Sequence, residues 1–150
     1  MEDKTWHMIG TMSGTSGDGL DIASCEFKKE NGKWTYILDA IDSAPYEDDF
    51  LEQLRNAHSL SADAYRQLDE KYAELNAERI NAFIEFFHLE NVDAIVSHGH
   101  TVYHEPGVRS IQIGNGQIIA NKTGLPVVCN LRTADVEKGG QGAPIVPIGE

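Results

Sequence analysis

The 150-residue sequence predicts an α/β domain in which helices flank a mixed sheet of five strands. Three observations support this fold class. Apolar runs of strand length open the chain, a pattern of helical period fills its middle, and strand and helix patterns alternate after residue 91. A domain with this succession builds a sheet and covers it with helices.

Composition and charge limit the classes of partner. A hydrophobic fraction of 41% and a charged fraction of 24% are ordinary for a folded domain. The 24 acidic and 12 basic side chains give a formal net charge of -12, which disfavours nucleic acids and anionic membrane surfaces as partners. The first residues do not resemble a secretory leader, and Cys25 and Cys129 lie in apolar runs, as buried free thiols do. We therefore expect a protein of the reducing cytoplasm.

The first three apolar runs, at residues 6–12, 20–27 and 34–41, predict three strands. The dipeptides Asp18-Gly19 and Asn31-Gly32 separate them, and both are typical of hairpin turns. Short connections of this kind join antiparallel neighbours, so we expect a meander.

The middle of the chain predicts two helices. Residues 48–57 form a short amphipathic pattern, and Ser61 is a candidate N-cap for a second helix. After Ser61, apolar and aromatic residues recur at spacings of mostly three and four as far as Phe87. This stripe predicts a long helix whose aromatic side chains lie in the core.

Alternation follows, with strands expected at residues 92–97, 110–113 and 125–130 and a helix at 117–122 that stops at Gly124. Three antiparallel strands followed by alternating helices and strands is the order of the ribonuclease-H-like fold, which actin, hexokinase and sugar kinases share. In that architecture the first hairpin carries a phosphate loop. Fold analogy alone assigns no function, so the chemistry has to come from particular residues.

The stretch GTMSGTSGDG at residues 10–19 is a candidate phosphate loop. It is not a Walker A motif, but its small residues allow several backbone N–H groups to face one anion, and its hydroxyls add donors. Asp18 and Asp21 are candidates to hold the water ligands of Mg²⁺. The alternative is a plain hairpin turn at Asp18-Gly19.

The stretch SHGHTVYH contains His98, His100 and His104. Alternate residues of a strand face the same side, so His98 and His100 are expected to point together and a zinc site is one interpretation. The other is that histidines at the exit of a strand form hydrogen bonds with a sugar, with His104 simply exposed.

The stretch LRTADVEKGGQGAP places Arg132 and Asp135 directly after a buried strand, where ligand crevices of α/β sheets open. Asp135 is a candidate base that takes a proton from a hydroxyl or a water. The alternative is that Asp135 caps a short helix at residues 136–138.

Four stretches taken together resemble the anhydro-N-acetylmuramic acid kinase family, over about residues 9–147. They are GTMSGTSGDGLD, SHGHTVYH, SIQIGNGQIIANKTGLPVV and LRTADVEKGGQGAPIVP. The resemblance implies a cytoplasmic enzyme of peptidoglycan recycling that uses ATP and Mg²⁺. Such enzymes convert 1,6-anhydro-N-acetylmuramic acid into N-acetylmuramic acid 6-phosphate. It further implies that residues 1–150 are the N-terminal actin-like ATPase lobe, with a second lobe beyond residue 150, and that the protein is a homodimer.

The resemblance also implies roles for individual residues. Asp135 matches the catalytic base that activates the attacking water. The residues that match the loop around the ATP phosphates are Ser13, Gly14, Thr15, Ser16, Gly17, Asp18, Gly19, Leu20 and Asp21. Those that match motifs near the sugar are His98, His100, Thr101 and Arg132. No side chain is implied as a direct metal ligand; Mg²⁺ would enter with ATP and reach Asp18 or Asp21 through water.

The sequence departs from the family pattern in three places. The family usually has leucine at the position of Gly17, glutamine at that of His100, and Ala-Phe-His at residues 148–150. These departures keep a second interpretation open, a non-catalytic nucleotide-binding domain with the actin-like core. A metal hydrolase built on the histidine cluster is a third.

Overall fold

A computed structural model describes residues 4–14 and 18–145 of the chain. The strands are β1 (Thr5–Ser13), β2 (Gly19–Glu30), β3 (Lys33–Pro45), β4 (Ala94–Glu105), β5 (Arg109–Ile113) and β6 (Val127–Val128). The helices are α1 (Asp48–Arg55), α2 (Ala62–Phe86), α3 (Gly116–Thr123) and α4 (Leu131–Glu137), with a 3-10 turn at Ala57–Ser59.

The strands form one mixed sheet in the order β3-β2-β1-β4-β5, with the short β6 paired to β4. β1, β2 and β3 are antiparallel neighbours, which confirms the predicted meander. β1 and β4 run parallel, and the connection that leads from β3 to β4 contains α1 and the long α2. The α/β prediction is confirmed, and the sheet has six strands rather than five. The strand expected at residues 125–130 is present as the two-residue β6.

The two hairpins of the meander differ in their turns. Asn31 and Gly32 both have positive φ, 50° and 79°, and they join paired residues Glu30 and Lys33, as expected for a two-residue turn. The first connection is longer, because β1 ends at Ser13 and β2 begins only at Gly19. A plain two-residue turn at Asp18-Gly19 is therefore wrong.

Helix α2 covers one face of the sheet. Ser61 caps it by accepting a hydrogen bond from the backbone N–H of Ala64 at 3.3 Å, as the sequence predicts. The buried side chains of the helix include Leu68, Tyr72, Ala73, Ala77, Ile80 and Phe83. Ile9, Leu20, Ile22 and Ile95 of the sheet belong to the same core.

Two predicted boundaries are wrong in ways that affect the site. The strand expected at residues 92–97 continues to Glu105, because its second half pairs with β5, so the histidine stretch lies inside a strand. Helix α4 begins at Leu131, which places Asp135 within the helix and not at an N-cap before residue 136. Among the described residues, no helix is long and apolar enough to cross a membrane.

Candidate functional site

A cleft of about 880 Å³ lies over the face of the sheet opposite α2. Along β1, Ile9 is buried in the core, whereas Gly10 and Met12 line the cleft. His98 of β4 and Leu131 at the start of α4 form part of its wall. The volume is within the range of small-molecule sites, and most of the lining is apolar with a few polar groups.

A continuous chain of hydrogen bonds joins His98 to Asp135 at the edge of the cleft. The Nε of Arg132 donates to Nε2 of His98 at 3.0 Å, and Nη1 of Arg132 donates to the carbonyl oxygen of Gly142 at 3.0 Å. The backbone N–H of Gly142 donates to Oδ2 of Asp135 at 2.8 Å. The structure therefore brings together His98, Arg132 and Asp135, which sequence analysis proposed separately for sugar and water. Of these three, His98 lines the cleft, whereas Arg132 and Asp135 do not belong to its described lining.

The surroundings of His98 define its protonation. Nε2 accepts from Arg132, and Nδ1 lies 3.0 Å from the carbonyl oxygen of Gly99, so the partners assign the proton to Nδ1. Burial lowers the pKa of His98 below its ordinary value of 6.5; the bond to Gly99 partly opposes this shift, and the charge of Arg132 adds a smaller lowering. His98 is thus a neutral ring of fixed orientation.

Two glycines allow the Asp135 carboxylate to be enclosed by backbone. A Cβ at position 140 would overlap the carboxylate of Asp135. Gly142 has φ +74°, and a Cβ there would lie 2.8 Å from Cγ2 of Val136. The turn after α4 can therefore close on Asp135 because these positions carry no side chain, as the glycine-rich stretch indicated.

His98 and His100 point to opposite faces of the sheet, which overturns the expectation that they point together. Between the paired positions Thr11–Ser97 and Ser13–His100, β4 carries one residue more than β1, and Gly99 has φ +73°. This is a β-bulge, which inverts the alternation of side chains beyond it. His100 is 5% exposed, and its Nδ1 lies 3.1 Å from Oγ of Ser13 on the face that α2 covers.

The bulge also removes the geometry on which the zinc interpretation depends. Both ring nitrogens of His98 already have partners, and His100 lies on the other side of the sheet. His104 is half-buried and not simply exposed. Within residues 4–14 and 18–145, no three His, Cys, Asp or Glu side chains are grouped as metal ligands.

The predicted phosphate-loop residues differ in where they lie. Thr15, Ser16 and Gly17 lie outside the described residues. Ser13 and Leu20 are 2% and 1% exposed, so their side chains belong to the interior and only their backbones can face a ligand. The backbone at Gly19 passes close to β3, since a Cβ there would lie 2.6 Å from the carbonyl oxygen of Ala44.

The acidic side chains proposed near Mg²⁺ are exposed. Asp21 lines the cleft, and its Oδ1 accepts a hydrogen bond from the hydroxyl of Ser43 at 2.7 Å. Asp18 directly precedes β2, and its carbonyl oxygen accepts from the backbone N–H of Tyr46 at 3.2 Å. An exposed carboxylate beside a cleft fits a water-mediated contact to a hydrated cation.

Gln112 is a site residue that sequence reasoning missed. Its Nε2 donates to the carbonyl oxygen of His98 at 2.7 Å and lies 3.4 Å from Oγ1 of Thr101, its partner in the β4–β5 ladder. Gln112 thus holds the backbone of β4 at the bulge, and Thr101 contacts the same Gln112 amide. The available signal was a lone amide between the apolar Ile111 and Ile113.

Comparison with known proteins identifies a family for this chain. The profile of the family described as "Anhydro-N-acetylmuramic acid kinase" matches residues 6–150. The anhydro-N-acetylmuramic acid kinase of Pasteurella multocida is 35% identical over 98% of this chain and 40% of its own length. Those of Synechococcus elongatus and Brucella canis are 36% and 38% identical, each over 93% of this chain and 39% and 40% of their own length.

The chain thus spans about 40% of the length of the curated relatives that it matches. The family match, in contrast, covers nearly the whole chain, including all the motifs that build the cleft edge. The chain therefore belongs to the anhydro-N-acetylmuramic acid kinase family.

Proposed function

We propose that the protein containing this chain is an ATP-dependent kinase that hydrolyses and phosphorylates 1,6-anhydro-N-acetylmuramic acid. The product would be N-acetylmuramic acid 6-phosphate, an intermediate of peptidoglycan recycling. The observation that carries the proposal is the hydrogen-bonded chain from His98 through Arg132 and Gly142 to Asp135 beside a cleft of substrate size. Membership of the kinase family supplies the reaction class.

In this proposal Asp135 is the general base. Water attacks the anomeric carbon and gives its proton to the Asp135 carboxylate, while the bond from that carbon to the bridging oxygen breaks. The freed oxygen attacks the γ-phosphorus of ATP, and ADP leaves. The bond from the Gly142 N–H orients the carboxylate, and the remaining task of the protein is to position the reactants.

His98 and Arg132 are proposed to position the sugar. His98 lines the cleft as a neutral ring, and Arg132 fixes the direction of that ring while also holding Gly142. A fixed array of this kind limits the reorganisation needed when the sugar binds.

The segment from Gly14 to Gly19 is proposed to hold the ATP phosphates through backbone N–H groups. Asp21 would hold the water shell of Mg²⁺, which neutralises phosphate charge when it is bound. We further propose that the full-length protein has a second lobe beyond residue 150 and forms a homodimer in the cytoplasm. Light scattering tests whether the full-length protein is a homodimer, and cell fractionation tests whether it is cytoplasmic.

Asp135→Asn in the full-length protein tests the assignment of the base. The amide is isosteric but accepts no proton, so ATP consumption that depends on the anhydro-sugar should fall by about a hundredfold or more. Glu137→Gln in the same helix, at an exposed position, is the matched control and should retain activity.

Near-full turnover by Asp135→Asn would contradict the assignment. Nucleotide binding by the wild-type protein without sugar-dependent turnover would instead favour the non-catalytic nucleotide-binding domain.

A further inference from the structure

Five polar side chains are buried together on the α2 side of the sheet, below the start of the loop at residues 14–18. This buried polar cluster consists of Ser13, Tyr46, Tyr72, Asn76 and His100. Their exposed fractions are 2%, 6%, 0%, 0% and 5%. None of them contributes to the chemistry described above.

The cluster contacts both ends of the loop. At one end, Oγ of Ser13 lies 3.1 Å from Nδ1 of His100, and the two residues are directly paired in the β1–β4 ladder. At the other end, the backbone N–H of Tyr46 donates to the carbonyl oxygen of Asp18 at 3.2 Å. The ring of Tyr72 joins the two ends, since its centroid is 6.4 Å from that of His100 and 6.3 Å from that of Tyr46.

The burial of these polar groups has a desolvation cost. The hydroxyls of Tyr46 and Tyr72 and both amide atoms of Asn76 are buried and lack hydrogen bonds of good geometry among the described residues. Burial raises the pKa of both tyrosines, although neighbouring polar groups partly oppose the shift. Apolar side chains of similar size would avoid this desolvation cost, so the polarity of the cluster calls for a role other than stability.

We propose that His100 is a positioning residue that fixes the end of β1, where the phosphate loop begins, through the hydroxyl of Ser13. Because Ser13 is the last residue of β1, its hydrogen bond to His100 holds the point at which the loop leaves the sheet. His100 therefore acts on the nucleotide side, although sequence analysis assigned it to the sugar. The inference rests on the proposed function of the loop.

The test uses the full-length protein and two separate measurements. Calorimetric titration with a non-hydrolysable ATP analogue gives the nucleotide Kd, and steady-state kinetics give the KM for the anhydro-sugar. His100→Phe keeps a ring beside Tyr72 but removes the bond to Ser13, so the nucleotide Kd should rise about tenfold, with the sugar KM within twofold of wild type. His100→Asn keeps a polar atom near the place of Nδ1 and should stay within about threefold of the wild-type Kd.

A double-mutant cycle with Ser13→Ala isolates the interaction. If His100 acts through Ser13, then His100→Phe has no further effect on the nucleotide Kd in the Ser13→Ala background. Ser97→Ala is the matched control, because Ser97 is an equally buried serine on the neighbouring strand that has no partner among the described residues. This variant should bind the nucleotide as the wild type does.

The outcomes separate the inference from the proposed function. A raised sugar KM with an unchanged nucleotide Kd, or additive effects in the cycle, would overturn the role of His100. If His100→Phe does not fold, an unchanged Kd in Ser13→Ala overturns the inference by itself. Wild-type protein that binds the nucleotide but shows no sugar-dependent turnover contradicts the proposed function alone, whereas wild-type protein that binds no nucleotide contradicts both.

Discussion

Asp135 shows how a single side chain depends on the backbone around it. Its carboxylate is enclosed by the turn at residues 140–142, which approaches closely only because Gly140 and Gly142 have no Cβ. The sequence predicted the glycines and the acid as one stretch. It did not indicate that the acid lies inside α4, because the residue before this helix forms no side-chain cap. Nor did it indicate that Arg132 links the acid to His98, because that bond depends on where β4 lies relative to α4.

Gly140→Ala should reduce activity more than stability. The new methyl group collides with the Asp135 carboxylate and displaces it, and a displacement of about 1 Å at a reacting group can lower kcat by about a hundredfold. Sugar-dependent ATP consumption and thermal unfolding of the full-length protein measure the two effects.

Gly139→Ala is the matched control. Gly139 has φ +88°, so alanine is strained there, but its Cβ would meet nothing within 4 Å. It should therefore lower the Tm while leaving kcat close to wild type. Equal losses of kcat in both variants would mean that the whole turn, and not the contact with Asp135, controls activity.

At the scale of elements, the sequence predicted best where the local signals are strong. β1 to β3 are apolar runs separated by turn dipeptides and α2 repeats every three to four residues, and the existence and order of these elements are confirmed. The bulge in β4 has no such signature, because it depends on pairing with β1 and on the approach of Gly99 to β5. For this reason the histidine spacing suggested a metal site that the strand geometry does not support.

Gly99→Ala tests how much the free energy of unfolding depends on a glycine at the bulge. Alanine at φ +73° is strained, and its Cβ would also lie 2.5 Å from the carbonyl oxygen of Ile113. Gly32→Ala is the control, since Gly32 has φ +79° but nothing within 4 Å of a Cβ. Chemical denaturation should give a loss of about 1–2 kcal/mol for Gly32→Ala and a clearly larger loss for Gly99→Ala. Equal losses would show that β5 yields to the methyl group at no cost.

At the scale of the whole molecule, the two faces of the sheet differ in what they contact. One face holds the core under α2, and the other holds the cleft, with the neutral rings of His100 and His98 on opposite sides. Burial is the largest cause that lowers the pKa of each histidine below 6.5, and His98 adds to the effect on His100. The sequence indicated which residues are apolar, but the assignment of each to a face needed the strand register.

Stability should therefore fall as the pH decreases from about 6.5. Between 6.5 and the lowered pKa values, the unfolded chain binds protons on His98 and His100 that the folded protein does not, so acid favours unfolding. Denaturant midpoints between pH 7.5 and 5 measure the slope. His100→Asn should make this slope smaller than in the wild type, because it removes one of the two groups with a lowered pKa. An unchanged slope in His100→Asn would mean that His100 is protonated equally in both states.

The extra residue in β4 bears on how short motifs are interpreted in general. Two histidines separated by one residue are commonly interpreted as two ligands of one metal ion. This interpretation assumes a regular strand between them. Here the intervening glycine inverts the alternation of side chains. One imidazole therefore lies in the cleft and the next lies in the interior. In other chains with this spacing, the conformation of the middle residue decides whether the two rings can ever meet the same ligand.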